Sequence, residues 1–322
     1  MAAFLARRLL LAAVVLAAFS FVSFLLLARL QPPPQPRVLA QYWSWLRGVW
    51  AGTSLHTILH ASGPTPPVLQ ALGRTAALLA LALILVFALS VVLGTAAARW
   101  RGSPLDLLVR GGSYLAWAVP AFLLGLVMQK LLNAFGGPRG LGPFPIAGWP
   151  GHCPPGIGLK SGTLTPCPAA GTGGQYALHV LTHIALPAFV LAVGFVGLHS
   201  RYLRGALLDA LNEPYIVTAR AKGLPERLVV LRHALRASLS TFIGAVLGDF
   251  GAVFGATLAV DWVFQLGGLG TLFINEFSPS TGFFNLYSLE ALVLVTAVLV
   301  LFSSLLSELA VDLLDPRVRA NR

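Results

Sequence analysis

Long uninterrupted apolar runs are the feature of this sequence that most restricts its fold. The first covers residues 9–28 and contains no charged side chain. As an α-helix, this run is long enough to cross the hydrocarbon core of a bilayer, which is roughly 30 Å thick. Only 10% of the chain is charged, whereas a soluble domain has about a quarter of its residues charged. The chain is therefore predicted to be an integral membrane protein.

Further apolar runs of similar length predict an all-α protein with six transmembrane helices. The predicted helices are residues 9–28, 74–98, 112–132, 176–199, 241–264 and 287–310. The first run also has the length of a cleaved signal peptide. No small-x-small cleavage site precedes the proline-rich residues 31–36, so the run is interpreted as a transmembrane helix.

The distribution of basic residues predicts how the helices are oriented. The chain has 22 Lys and Arg and a net charge of +11, and most of these residues fall at the termini and in the even-numbered connections. Positive loops are retained in the cytoplasm, so both termini are predicted to be cytoplasmic. Residues 1–30 then form an N-terminal transmembrane helix and residues 31–70 an extracytoplasmic segment, followed by the main transmembrane domain 71–322. Because the basic residues lie between apolar runs, they do not favour nucleic-acid binding.

Both cysteines, Cys153 and Cys167, fall in the predicted extracytoplasmic loop 133–175. Disulfides persist outside the cytoplasm, so a bridge is favoured over two unpaired thiols. In the chain-entropy model, a bridge that closes a loop of this size stabilises by roughly 3 kcal/mol. It would hold together a segment rich in glycine and proline.

The predicted cytoplasmic loop 200–240 has the pattern of a protein contact. Residues 207–222 suit a helix with small and apolar residues on one side and Arg and Lys on the other. Gly223 suits the left-handed position that ends a helix, and Pro225 can start a second short helix. This pattern predicts a helix-glycine-helix docking surface. A basic loop anchored to anionic lipid is the alternative.

Residues 215–224 read Tyr-Ile-Val-Thr-Ala-Arg-Ala-Lys-Gly-Leu. This run resembles the cytoplasmic loop of ABC importer permeases of the binding-protein-dependent type, and more narrowly that of the dipeptide/oligopeptide/nickel branch. Shorter stretches resemble the first, B-type permease of this branch and occur in the same order. They are residues 6–9, 119–122, 183–187, 263–264, 267–270 and 314–317. The chain departs from the wider family at Val217 and Thr218, where a Glu-Ala pair is usual.

The resemblance implies that this loop forms a coupling helix that sits in a cleft of a separate ATPase subunit. The residues that would make the contact are Glu213, Tyr215, Thr218, Ala219, Arg220, Ala221, Lys222, Gly223 and Leu224. The two alanines would allow close approach, and Arg220 and Lys222 would pair with acidic groups of the ATPase. The chain would be a transport subunit and not an enzyme. No G-x-x-x-x-G-K-[ST] loop is present, so ATP and Mg²⁺ would be bound by the partner and no cofactor by this chain.

The resemblance also implies an assembly and a class of substrate. The partners would be a homologous second permease subunit, one or two ABC ATPase subunits and an extracytoplasmic solute-binding protein, assembled in a lipid bilayer. The substrate would be di- or oligopeptides, with nickel or another small solute as the alternative. An ATP-independent secondary carrier is a further alternative, but it would show paired broken helices or an inverted repeat, and the sequence shows neither.

Predicted helix five carries four candidates for the translocation pathway: Asp249, Gly251, Gly255 and Asp261. Two G-x-x-x-G spacings in this helix favour close helix packing over exposed backbone. Asp249 either faces the pathway or is a hydrogen-bonded carboxylic acid, because an isolated carboxylate in a bilayer costs several kcal/mol. Asp261 either meets the substrate or lies among the lipid headgroups.

No metal or hydrolytic site is predicted. His56 and His60, like His179 and His183, have the spacing of one helix face, but neither pair has a carboxylate or cysteine ligand close in sequence. The sequence contains neither G-x-S-x-G nor H-E-x-x-H.

Overall fold

The computed structural model describes residues 2–30, 37–51, 68–136, 147–150, 173–276 and 286–314. Within these ranges the chain is almost entirely helical. The helices are α1 (Ala2–Leu30), α2 (Val38–Trp50), α3 (Val68–Arg99), α4 (Pro104–Ala118), α5 (Ala121–Gly136), α6 (Gly174–Leu211), α7 (Pro214–Ala221), α8 (Glu226–Leu228), α9 (Leu235–Gly248), α10 (Phe250–Phe264), α11 (Leu269–Glu276) and α12 (Leu286–Leu314), and a π-helical turn covers Val229–Ala234. The predicted all-α class is confirmed.

Four helices of the described residues are long and apolar enough to cross a membrane. They are Ala6–Leu30, Val68–Arg99, Gly174–Leu211 and Glu226–Gly248. Two further pairs pass the same test when each is joined: α4 with α5, bent by 94°, and α10 with α11, bent by 72°. The structure therefore has four to six candidate spans, as expected for a multi-pass membrane protein. α12 (Leu286–Leu314) covers the predicted sixth helix 287–310 and includes the apolar stretch Leu289–Leu305, which is additional to these candidate spans.

The prediction of one continuous helix over residues 112–132 is wrong, because this part of the chain is a bent pair. Val119, with φ −93° and ψ 118°, separates α4 from α5. The residue before a proline avoids the α conformation, so Pro120 explains the break. α4 also starts earlier than predicted, with a proline in its first turn. The Oγ of Ser103 caps this end by accepting a hydrogen bond of 3.3 Å from the backbone N–H of Asp106.

The predicted loop 200–240 is largely helical. α6 continues without a break from the predicted helix 176–199 to Leu211. The prediction of a single helix over residues 207–222 is wrong, since α6 ends before Pro214 and α7 begins at it. Here too the residue before the proline, Glu213, is extended, with φ −72° and ψ 146°.

Predicted helix five starts earlier than residue 241 and is interrupted at Asp249, which separates α9 from α10. The interruption is local. The backbone N–H of Asp249 donates to the Ala245 oxygen at 3.1 Å, and that of Val253 donates to the Asp249 oxygen at 3.0 Å. Helical bonding therefore continues on both sides of this residue.

α3 and α6 lie at the centre of the described structure, and glycines allow the helices to approach closely. A Cβ added to Gly94 of α3 would lie 2.8 Å from the Ser200 carbonyl oxygen of α6. A Cβ added to Gly197 of α6 would lie 2.9 Å from the Ser113 carbonyl oxygen of α4. Contacts this short between Cβ and a backbone atom do not occur, so both positions require glycine at the observed helix separation.

A substitution at Gly197 is expected to destabilise the protein even though alanine is the better helix former. Gly197→Ala pushes α6 away from α4 and is expected to cost about 1–3 kcal/mol of unfolding free energy, as other overpacking substitutions do. Gly205 lies on the same helix, and a Cβ there meets nothing within 4 Å. Gly205→Ala is therefore the matched control, expected to stabilise by about 0.5–1 kcal/mol. Thermal unfolding of both variants in detergent tests this, and equal shifts would contradict the packing argument.

α1 is attached to α12 by a buried polar network. Glu290 of α12 is 0% exposed. The hydroxyl of Ser23 in α1 lies 2.9 Å from each of its carboxyl oxygens, and the hydroxyl of Ser20 donates to one of them at 3.2 Å. Tyr42 and Trp45 of α2 pack their rings beside this contact.

Candidate functional site

The segment most suited to contact another protein is the elbow, defined here as residues 213–234. It follows the end of α6 and contains α7, α8 and the π-helical turn. Pro214 occupies the first helical position of α7, where its missing N–H removes no helical bond. The N–H of Ile216 donates to the Glu213 carbonyl oxygen at 3.0 Å, which closes the first turn.

The predicted helix end at Gly223 is present. Gly223 has φ +75°, a left-handed conformation. The N–H of Leu224 reaches the Ala219 oxygen at 3.4 Å, and the N–H of Gly223 donates to the Arg220 oxygen at 2.9 Å. This pair of bonds is the Schellman motif, in which a left-handed residue satisfies the last carbonyls of a helix. Gly223 therefore sets the direction in which the chain leaves α7.

The elbow packs against the ends of the membrane helices through an apolar base to which both contribute. The members of this base are Ala98, Leu207, Ala210, Ile216, Ala219, Val229, Val230 and Ala234. Ile216 is 0% exposed and Ala219 7%. Ala219 was expected to allow close approach of an ATPase, but its side chain instead packs within the chain. The base therefore joins α7 to the ends of α3 and α6.

The opposite face of α7 is exposed. All the predicted contact residues except Ala219 lie on it or on the turn that follows: Glu213, Tyr215, Thr218, Arg220, Ala221, Lys222, Gly223 and Leu224. Three large apolar side chains are among the exposed ones, Tyr215 at 43%, Val217 at 60% and Leu224 at 37%. An apolar patch rimmed by basic side chains is typical of a protein contact.

Arg220 makes an ion pair within the elbow. Its Nε and Nη2 donate to the two carboxylate oxygens of Glu226, at 3.1 Å and 2.7 Å. These hydrogen bonds raise the pKa of the Arg220 guanidinium, so it stays charged at all physiological pH values. Both side chains are partly exposed, and such pairs contribute about 0–1 kcal/mol. Arg220 was expected to pair with an acidic group of an ATPase, but in this structure it closes the elbow.

A buried ion pair lies on the helix that leads into the elbow. Asp106, 1% exposed, accepts hydrogen bonds from Nε and Nη2 of Arg204 at 2.6 Å and 2.9 Å. It also accepts the backbone N–H of Gly102 at 3.0 Å. The pair ties the start of α4 to the end of α6. This pair was not predicted from the sequence, in which the Ser103-x-x-Asp106 capping pattern was the available signal.

Asp249 lies at the junction of α9 and α10 with its side chain 38% exposed. Its Oδ2 is 3.7 Å from Nε2 of His199, whose side chain is 0% exposed. Of the two glycine candidates, a Cβ on Gly251 would contact Val300 of α12 at 3.4 Å, whereas one on Gly255 would meet nothing within 4 Å. Gly251 alone of these two thus packs against another helix of the described chain.

Asp261 is in neither of the two environments expected for it. It is 1% exposed and accepts the N–H groups of Gly268 at 2.9 Å and Thr271 at 2.8 Å. A Cβ on Gly268 would lie 2.5 Å from the Thr75 hydroxyl oxygen, so the backbone reaches the carboxylate only because this residue is glycine. The side chain holds the bend between α10 and α11 and is buried within the described chain.

Cys153, Cys167, His56 and His60 lie outside the described residues. His179 and His183 are on α6, and Nδ1 of His183 lies 2.7 Å from the backbone oxygen of His179. Within the described ranges, no group of three or more His, Cys, Asp or Glu is placed to hold a metal ion.

Comparison with known proteins gives a consistent result. Residues 90–320 match the family described as "Binding-protein-dependent transport system inner membrane component". The chain is 29% identical over 290 residues to the oligopeptide transport system permease protein AppB of Bacillus subtilis (strain 168), covering 86% of this chain and 79% of AppB. It is 34% identical over 261 residues to the probable D,D-dipeptide transport system permease protein DdpB of Escherichia coli (strain K12), covering 74% of this chain and 67% of DdpB. The dipeptide transport system permease protein DppB of Lactococcus lactis subsp. cremoris (strain MG1363) is 28% identical over 280 residues, covering 87% and 80%.

These matches confirm the resemblance to ABC importer permeases. The relatives are permease proteins of transport systems, so this chain is a transport component and not an enzyme. It belongs to the family of binding-protein-dependent transport system inner membrane components.

Proposed function

We propose that this chain is the first permease subunit of an ATP-driven importer of di- or oligopeptides. A separate ATPase drives it through the elbow. The observation that carries the proposal is the exposed face of α7 above an apolar base that it shares with α3 and α6, because force applied to that face acts on both helices. Peptides are favoured as the cargo because AppB, DdpB and DppB are named as oligopeptide and dipeptide permease proteins.

The chain would cross the membrane six times, with both termini in the cytoplasm of a prokaryote. The division is the one expected from the sequence: a first helix within 1–30, an extracytoplasmic segment 31–70 and a permease domain 71–322, with the loop 133–175 outside. The basic elbow lies inside in this arrangement, as the positive-inside rule requires.

The exposed side chains of the elbow would dock in a cleft of the ATPase. Tyr215, Val217 and Leu224 supply apolar contact area, and Lys222 supplies a charge at the end of α7. Arg220 contributes by fixing the elbow through Glu226. ATP and Mg²⁺ are bound by the ATPase, and closure of its cleft would move the elbow and α6 together. A second permease subunit and a solute-binding protein complete the importer.

Association with the ATPase tests this proposal. A detergent pull-down on a C-terminal tag is expected to recover an ATPase and a second permease. Lys222→Glu is expected to lower recovery of the ATPase at least about tenfold, because it places a like charge against an acidic cleft. Lys130→Glu is the matched control, an identical charge change on an exposed residue of α5, and should leave recovery unchanged.

Two results would contradict the proposal. If the chain purified alone and moved solute without ATP, an ATP-independent carrier would replace it. If both lysine variants lost the ATPase equally, the contact would depend on total charge and not on the elbow.

A further inference from the structure

The junction of α9 and α10 carries a surface unlike the other exposed helix faces. Along it the chain has small side chains at alternating spacings of four and three residues, which place them on one side of the helix. We name this the small-residue face; it consists of Thr241, Ala245, Gly248, Ala252 and Gly255. All are exposed except Ala245, which is half-buried. A Cβ on Gly248 or Gly255 would meet nothing within 4 Å.

The small-residue face does not have the character of a lipid-facing surface. On α4, the exposed side is filled by Leu107, Leu108 and Leu115, which are 64–73% exposed. Such large apolar side chains are what hydrocarbon favours. The small-residue face instead presents only short side chains and backbone, with open space beside Gly248 and Gly255.

Asp249 adds a charge next to the small-residue face. It follows Gly248 in the chain and precedes Ala252 by three residues, so it lies at the edge of the small-residue face. About 22 Å of helix separates it from Ala234 in the base of the elbow, so with the elbow at the cytoplasmic surface, as proposed, it lies within a hydrocarbon core of roughly 30 Å. An intramembrane carboxylate that is partly exposed faces water, a protein partner or a ligand, since contact with hydrocarbon costs several kcal/mol.

Behind Asp249 lies a histidine that makes no hydrogen bond. Neither ring nitrogen of His199 has a hydrogen-bond partner, although the side chain is completely buried. It is enclosed by the rings of Phe195, Tyr202 and Phe242. Its Nε2 points towards Asp249 at 3.7 Å, too long for a hydrogen bond. A buried polar group without a partner is costly, and the only carboxylate of the described residues within 4 Å of it is that of Asp249.

We propose that Asp249, supported from inside the bundle by His199, binds the ammonium group of a solute passing along the small-residue face. The inference rests on the proposed function, because it needs a solute that carries an ammonium group, as every unblocked peptide does. In the described residues, Asp249 has no basic partner except the imidazole. A ligand ammonium would supply the missing cation, and the open space along the small-residue face would admit the first residues of the peptide. His199 is a positioning residue whose Nε2 stands 3.7 Å from the carboxylate.

Uptake by the complete importer in proteoliposomes tests the site. The probes are trialanine and Ala-Lys-Ala, delivered by the unaltered solute-binding protein, so that any change arises in the permease. Asp249→Asn is expected to lower uptake at least about tenfold, the loss of one charged hydrogen bond, and Asp249→Glu to restore most of it. Loss for both peptides identifies the α-amino group as the ligand; loss for Ala-Lys-Ala alone identifies the side-chain ammonium. Glu276→Gln, which removes a carboxylate from α11, should leave uptake of both unchanged.

A second measurement needs no peptide and therefore separates this inference from the proposed function. In Ala252→Cys, a cationic methanethiosulfonate reagent is expected to react at least about five times faster than an anionic one, because the carboxylate attracts it. Adding Asp249→Asn should remove that preference. The parent chain, with its own two cysteines, gives the background labelling.

Three results would overturn the inference. Uptake of both peptides by Asp249→Asn at the parent rate would show that no ammonium is bound there. Failure of both water-soluble reagents to label Ala252→Cys would place the face in lipid. Loss of the second permease from the pull-down of Asp249→Asn would show that the carboxylate pairs with a basic residue of that subunit. If the parent importer takes up neither peptide, the proposal that peptides are the cargo is wrong. The labelling experiment then still shows whether Asp249 attracts cations at the small-residue face.

Discussion

Gly223→Pro is expected to abolish uptake while the protein remains in the membrane. Proline cannot adopt φ +75° and has no N–H to donate to the Arg220 oxygen. It also disfavours the α-like conformation of Lys222, which has φ −77° and ψ 6°. A local cost of about 3 kcal/mol depletes the native elbow by roughly 100-fold at 1.4 kcal/mol per factor of ten. Uptake by the reconstituted importer is the measurement.

The matched control is Gly223→Asn. Asparagine enters the left-handed region more readily than other residues with a side chain, and a Cβ at position 223 meets nothing within 4 Å. This variant is expected to keep most of the uptake. An equal loss of uptake in both variants would mean that the ATPase contact tolerates no side chain at position 223, whatever the backbone conformation. Full uptake by Gly223→Pro, with the ATPase still bound, would show that the elbow does not transmit the ATPase motion.

The end of α7 was predictable from the sequence, but its start was not. A Lys-Gly-Leu-Pro run at the end of a helical pattern has one common solution, the left-handed glycine, and the structure has it. The start was misplaced because the apolar and basic pattern continues smoothly from residue 207 onward. Pro214 breaks the helix there, since the preceding Glu213 must be extended. Local stereochemistry overrides periodicity at this point, as it does at Pro120 between α4 and α5.

The environment of a single carboxylate was harder to predict than its location. Asp261 stands near the end of an apolar run, so lipid headgroups or a pathway were both reasonable expectations. The actual partners are the backbone N–H groups of Gly268 and Thr271. They reach the carboxylate because the chain turns by 72° after α10, and a turn of that size is not encoded in hydropathy. Asp249 differs because it borders the small residues Gly248 and Ala252, and its exposure follows from the helix packing around it.

The contact between Asp106 and Arg204 is the feature that was hardest to predict from the sequence. The two residues are 98 positions apart, and each belongs to a basic segment that looks like an ordinary membrane-anchoring loop. Ser103 and Asp106 mark a helix start, but nothing local indicates that the carboxylate is buried. Only the approach of α4 to α6, permitted by Gly197, brings the guanidinium to it.

Asp106→Ala is therefore expected to have the largest effect on stability. It leaves the guanidinium of Arg204, 15% exposed, and the backbone N–H of Gly102 without their acceptor. Removing one partner of a buried ion pair costs about 3–5 kcal/mol, because the remaining charge is uncompensated. Thermal unfolding in detergent measures the loss, and a variant as stable as the parent would contradict it.

The double variant Asp106→Leu with Arg204→Met separates the role of the charges from that of the contact. Replacing a whole buried ion pair by apolar side chains of similar size is often neutral or stabilising, so stability is expected to return to within about 1 kcal/mol of the parent.

Roughly 13 Å of helix lies between Arg204 and the start of the elbow, and the pair holds that stretch of α6 against α4. If packing alone transmits motion from the elbow, uptake returns with stability. The opposite result is a double variant that is stable and binds the ATPase but does not transport. It would show that the hydrogen bonds of Arg204 must hold α4 before the elbow can move the membrane helices.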